Sequence, residues 1–167
     1  MAGVSEHVVW FEDVGRGDIA KVGGKNSSIG EMVRTLSTQG VRTPPGFATT
    51  TDAYWMFVET NGLQPIIASA LKELTSGRVS LGAAGEKIRA AFLRGSWPEA
   101  VAQEIARTYA ELCTRVGRTN VDVAVRSSAT AEDLPSASFA GQLETFLNIQ
   151  GEQALLDACK NCFASLF

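Results

Sequence analysis

The sequence predicts an α+β fold in which a mainly helical segment meets a small mixed sheet, and three observations predict it. Helical periodicity fills most of the chain up to about residue 117, and short clusters of Val, Phe, Thr and Ile mark strands at 8–11, 47–50, 121–125 and 143–149. Between the last two strands lies a long stretch of small residues with neither period. At 167 residues, 45% of them hydrophobic and 20% charged, the chain has a globular composition and enough length to bury a core without staples.

Val8, Val9, Trp10 and Phe11 are strand formers. Gly23-Gly24-Lys25 then makes a turn into a helix: Ser28 and Glu31 have capping-box spacing, and Ile29, Met32, Val33 and Leu36 recur at i, i+3, i+4 and i+7 as an apolar face that ends near Gly40. After the break at Thr43-Pro44-Pro45-Gly46, residues 47–50 form a strand and a helix begins near Thr51 or Asp52. Breaks at Asn61-Gly62, Ser76-Gly77 and Gly95-Ser96-Trp97-Pro98 divide the helices that follow, the last of which carries Val101, Ile105, Leu112 and Val116 on one core-facing stripe. Residues 121–125 are a strand, 126–142 a loop of the kind that tends to be functional, and 143–149 a strand with Leu143, Thr145, Leu147 and Ile149 on one face and Glu144, Phe146 and Asn148 on the other. The final helix starts near Glu152 and lines Leu155, Cys159, Cys162 and Leu166 along one side; with no stop signal after Phe167, that face is expected to lack cover, as in a piece of a longer protein. The chain therefore divides into a helical half, 1–117, and a strand–loop–strand–helix half, 118–167.

Fifteen Lys and Arg against 18 Asp and Glu give a net charge of −3, which argues against nucleic acid as a partner. No apolar run approaches the ~20 residues that cross a bilayer and no lipidation motif is present, so no membrane partner is expected. Three cysteines without a secretory signal read as reduced thiols in a cytoplasmic protein.

Two cations stand where chemistry is plausible. Lys25 lies just ahead of a helix N-terminus, where free N–H groups and the helix dipole favour an anion such as phosphate; the alternative is a plain turn with a cap. The segment is not a Walker A loop, because Ile19 replaces the leading Gly and Asn26 follows the Lys where Ser or Thr would meet Mg²⁺. Arg126 ends an apolar strand, either to grip a phosphate bidentately or to pair with Glu132 or Asp133. Cys159 and Cys162 lack the helix-start position of a redox pair and the second ligand pair of a zinc site, and read as core. His7 has no catalytic partner nearby in sequence and reads as incidental. The tryptophans at 10, 55 and 97 read as core or rim.

Five stretches carry a resemblance: Val22-Gly-Gly-Lys-Asn-Ser-Ser-Ile-Gly-Glu-Met32, Pro45-Gly-Phe-Ala-Thr-Thr-Thr-Asp-Ala-Tyr54, Ala124-Val-Arg-Ser-Ser-Ala-Thr-Ala-Glu-Asp133, Ala137-Ser-Phe-Ala-Gly-Gln142 and Glu144-Thr-Phe-Leu-Asn148. In this order and spacing, from residue 9 to 167, they resemble the N-terminal nucleotide-binding region of the phosphoenolpyruvate synthase and pyruvate phosphate dikinase family. The resemblance implies the first part of an ATP-grasp-type domain, with Lys25 and Arg126 on the ATP phosphates and Gly141 and Thr145 lining the nucleotide site. For a full-length parent it implies the conversion of ATP, pyruvate and water to AMP, phosphoenolpyruvate and phosphate through a phosphohistidine. The same ATP site in a rifampin-type phosphotransferase, or in a non-catalytic regulatory module, is the alternative. The resemblance places the phosphohistidine, the Mg²⁺ ligands and the pyruvate site outside this chain, so no catalytic or metal-ligating residue is assigned within it and the piece alone is expected to be inactive. It departs from the family at Leu143, where a second Gln often stands, and at Cys159 and Cys162, which match no family role.

Overall fold

A computed structural model describes residues 6–130 and 144–167, and these are α+β. The elements are β1 (Val8–Trp10), α1 (Ile19–Thr38), β2 (Phe47–Thr49), α2 (Thr51–Thr60), α3 (Leu63–Thr75), α4 (Leu81–Arg94), α5 (Glu99–Val116), β3 (Val123–Arg126), β4 (Thr145–Ile149) and α6 (Glu152–Ala164). The helix boundaries follow the expected punctuation. Thr50 caps α2 by accepting the Ala53 N–H at 3.3 Å, Ser80 caps α4 through Ala83 at 3.2 Å, and α5 ends on Gly117 at φ +73°.

The expected mixed sheet is replaced, among the described residues, by two separate antiparallel pairs. In one, β1 pairs with β2 from Val8↔Thr49 to Trp10↔Phe47; in the other, β3 pairs with β4 from Val123↔Ile149 to Arg126↔Thr145. Helix α5 explains the separation. Its Val101, Ile105, Tyr109 and Leu112 pack in one cluster with Val8 and Phe47 from the first pair and, together with Leu155 and Cys159 of α6, Val123, Val125 and Ile149 from the second, so each pair buries its apolar side chains against helices instead of extending the other.

A second, aromatic cluster joins α2, α4 and α6. Phe57 stacks on Phe92 with ring centres 5.9 Å apart and meets Phe163 and Trp97 edge-on. Both clusters draw side chains from either side of Gly117.

Four local expectations need correction. First, the apolar face of α6 does not lack cover: Leu155, Leu156, Cys159, Cys162 and Phe163 are all buried, and all but Cys162 belong to the two clusters just described. Second, β4 does not alternate as expected. Phe146 and Ile149 both turn inward while Leu147 is 65% exposed, because β4 bulges: Asn148 takes φ +56°, an extra residue between the pairings Val125↔Phe146 and Val123↔Ile149. Leu143 lies outside the described residues.

Third, Ile29, Met32, Val33 and Leu36 are not the buried face of α1; Met32 is 48% exposed, and the buried residues are Val22, Gly23, Gly24, Ser27 and Gly30. The contact is made by close approach of small residues. Ser27 donates its hydroxyl to the Gly15 carbonyl at 2.7 Å, and a Cβ on Gly30 would lie 2.5 Å from the Val14 carbonyl oxygen. Fourth, His7 is not incidental. It is buried at 6% exposure with Nδ1 2.8 Å from Glu104 Oε2, while Glu104 Oε1 accepts the Val8 N–H at 3.2 Å, so the pair fastens β1 to α5.

Candidate functional site

The site begins at a kink. Helix α1 is interrupted at Gly23, whose φ of +80° and ψ of +165° are non-helical, so the helix proper starts at Gly24 and not at the expected Ser28–Glu31 capping box. Its cap comes from the far end of the chain. Ser128 Oγ accepts the Asn26 N–H at 3.4 Å, and the Ala129 carbonyl accepts the Gly24 N–H at 3.1 Å. The segment after β3 thus occupies two of the first N–H groups of α1, the groups that leave a helix start hungry for an acceptor.

The close approach explains the glycine. A Cβ on Gly23 would overlap Ser128 Oγ and stand 2.9 Å from the Ser128 carbonyl carbon. Anion attraction to the bare helix start is therefore reduced at Gly24 and Asn26, and positive charge at this point comes from side chains instead.

Lys25 and Arg126 supply it. The structure brings both to one open cleft of about 260 Å³, lined by Gly24, Lys25, Asn26, Ser28, Ile29, Arg126 and Ser127. Lys25 Nζ contacts the Ser127 carbonyl at 3.5 Å, which spans the junction between α1 and the end of β3. Arg126 is exposed at the last position of β3, and no carboxylate among the described residues pairs with it; Glu132 and Asp133, its alternative partners, lie outside them. Thr145 sits directly across the ladder from Arg126, exposed on the same hairpin end. Gly141 lies outside the described residues.

Ser127 locks this end of the hairpin. Its N–H and its hydroxyl both reach the Glu144 carbonyl, at 3.3 and 3.2 Å. Sequence reasoning missed Ser127, Ser128 and Ala129 as anything beyond loop, and Asn26 and Ile29 as cleft lining. The available signal was the adjacency of two serines to a strand-ending Arg, since Ser is a residue that caps helices.

Burial pushes the Cys159 and Cys162 thiols up to about 12, so both stay protonated and poorly nucleophilic at neutral pH. Among the described residues no three His, Cys, Asp or Glu side chains are grouped to hold a metal ion. No described helix is long and apolar enough to cross a membrane.

A cleft that sets two cations between a glycine-kinked helix and a strand end has the chemistry to accept an anion. Comparison with known proteins gives the class. Residues 19–167 match the family described as pyruvate phosphate dikinase, AMP/ATP-binding domain, and the chain belongs to that family. It is 47% identical over 165 residues to phosphoenolpyruvate synthase of Synechocystis, 47% over 162 residues to that of Neisseria meningitidis serogroup B and 45% over 166 residues to that of Escherichia coli K12. These alignments take in 96%, 96% and 99% of this chain but only 20%, 20% and 21% of the relatives, so the chain spans about a fifth of their length.

Proposed function

We propose that this chain is the ATP-binding part of a phosphoenolpyruvate synthase, with Lys25 and Arg126 holding the phosphate tail of ATP. The observation that carries the reading is their convergence on one cleft from two elements far apart in sequence. At about 260 Å³ the cleft is below the ~300–1,000 Å³ of pockets that enclose a whole small ligand, which fits one end of a nucleotide and not all of it. Lys25 contributes a point charge and Arg126 a planar fork that meets two phosphate oxygens at once. The family resemblance adds Thr145 and Gly141 to the nucleotide site, and in an ATP-grasp-type architecture the rest of the nucleotide would lie against parts beyond this chain.

The chemistry assigned to these residues is electrostatic. Phosphoryl transfer asks the protein chiefly to orient the phosphates and to offset charge as the bond breaks, and two fixed cations do both. Mg²⁺ would add positive charge to offset that of the phosphates, and its ligands would come from parts beyond this chain. In the longer protein one phosphoryl group of ATP passes by way of a phosphohistidine to pyruvate and a second goes to water, so that ATP, pyruvate and water give AMP, phosphoenolpyruvate and phosphate. The setting is cytoplasmic.

The names of the relatives favour pyruvate as acceptor over an antibiotic. The test is a chimera in which this chain replaces the matching segment of the Synechocystis enzyme, assayed for pyruvate-dependent AMP formation. The chimera is expected to be active and to lose activity on Lys25→Ala or Arg126→Ala. A folded chimera that forms no AMP, or one indifferent to both substitutions, would overturn the assignment.

A further inference from the structure

Among the described residues the hairpin that carries Arg126 has two strands, and an isolated pair of strands is marginal in water. Something must hold its direction. Its inner face, Val123, Val125 and Ile149, lies in the cluster with α5, but apolar contact of this kind is non-directional and leaves sliding along the strand axis weakly opposed.

Hydrogen bonds from α1 to Ser128 and Ala129 hold the segment after Arg126, and at the other end of the hairpin one side chain supplies direction. Tyr109 of α5 is 4% exposed, and its hydroxyl donates to the Val121 carbonyl at 2.7 Å while accepting the Gly151 N–H at 3.0 Å. Val121 lies just before β3 and Gly151 just after β4, so a single oxygen ties both open ends of the hairpin to the middle of the helical core. Gly151 is itself committed, at φ +83°, with its carbonyl accepting the Leu155 N–H at 3.0 Å at the start of α6. Burial pushes the phenol above its ordinary range, against the opposing effect of the Gly151 N–H, so the hydroxyl keeps its proton for Val121 at neutral pH.

At ~3.3 Å per residue, Arg126 is roughly 16 Å along the strand from Val121, well beyond the reach of the phenol. The opposite end of the ladder, Arg126↔Thr145, is the end that opens on the cleft. We propose that Tyr109 is a positioning residue for Arg126, setting the register and tilt with which the hairpin presents the guanidinium. The proposal rests on the phosphate role of Arg126 given above.

The test uses the 167-residue chain and the variants Tyr109→Phe, Arg126→Ala and their combination. ATP affinity is measured by NMR titration at a temperature where circular dichroism shows every variant folded. Tyr109→Phe keeps the ring and removes only the two hydrogen bonds, so a purely structural role would lower Tm and leave the affinity of the folded protein unchanged. The expected result is a loss of affinity of roughly 3–10-fold, absent when Arg126 is already Ala, because coupled residues do not add. Tyr109→p-aminophenylalanine, which keeps a donor for Val121, is expected to recover part of the loss. Wild-type affinity in Tyr109→Phe, a loss that adds in full to that of Arg126→Ala, or no recovery with the amino variant would overturn the proposal. Wild-type affinity in Arg126→Ala would instead bring down the reading of the site, and the proposal with it.

Discussion

Ser128 accepts the Asn26 N–H through its side chain at 3.4 Å, so the helix that presents Lys25 is capped by a residue from the strand end that presents Arg126. The cap and the site are one construction. Gly23 permits it, having neither a Cβ to collide with Ser128 nor a penalty at φ +80°. Gly23→Ala is expected to cost about 2–4 kcal/mol, combining a left-handed backbone with a forced overlap. Ser128→Ala, which removes only the cap, is expected to cost about 1 kcal/mol. Gly17, with no atom near its missing Cβ, is the control: Gly17→Ala is expected to stay within about 0.5 kcal/mol. Urea denaturation of the three variants checks the order.

Arg126 is exposed and makes no described ion pair, so its removal should separate stability from binding. Arg126→Ala is expected to leave the urea midpoint of this chain unchanged, within about 0.5 kcal/mol. ATP affinity is expected to fall roughly 10–100-fold, the equivalent of a charge-assisted contact of about 1.5–3 kcal/mol. Within a full-length phosphoenolpyruvate synthase the same change is expected to cut turnover by orders of magnitude, and near-normal turnover would count against the phosphate role.

Much of this was legible in the sequence, and the rest failed for identifiable reasons. The helix breaks at Asn61-Gly62 and Ser76-Gly77 could be read because glycine and short polar residues act locally, within one turn of the chain. Lys25 and Arg126 could be picked out because a cation at a helix start and a cation at a strand end each stand out against their surroundings. What periodicity could not show was the face of α1: Gly23, Ser27 and Gly30 pack by being small, a signal invisible to a rule that looks for large apolar side chains. Nor could the sequence show that Ser128 caps α1 or that Glu104 receives His7, because both bonds join residues about a hundred positions apart. The strand at 143–149 misled for the opposite reason, since one bulge at Asn148 moves Ile149 off the face of Thr145 and Leu147 and onto that of Phe146.

Cysteine chemistry provides a test of the α6 interface. Cys159 and Cys162 are buried while Cys113 is half-buried, so a thiol reagent at pH 8 is expected to label Cys113 first and the other two only on unfolding. The raised thiol pKa values also set a pH dependence. Folding lifts both from an ordinary 9 to about 12, so between those values the unfolded chain releases protons that the native chain keeps. Their contribution to stability is complete below pH 9 and is lost as the pH rises towards 12. Thermal melts from pH 8 upward should show Tm falling above pH 9, and Cys159→Ala together with Cys162→Ala should flatten that fall.

The central claim is that Lys25 and Arg126 form one phosphate-binding cleft, and NMR titration of the 167-residue chain tests it most directly. Backbone amides are followed while ATP, inorganic tripolyphosphate or adenosine is added. ATP and tripolyphosphate are predicted to shift Gly24, Lys25, Arg126 and Ser127 together, with adenosine leaving all four in place and Lys25→Ala abolishing the shifts at Arg126. Equal shifts with adenosine, or phosphate-dependent shifts confined to residues away from this cleft, would contradict the account.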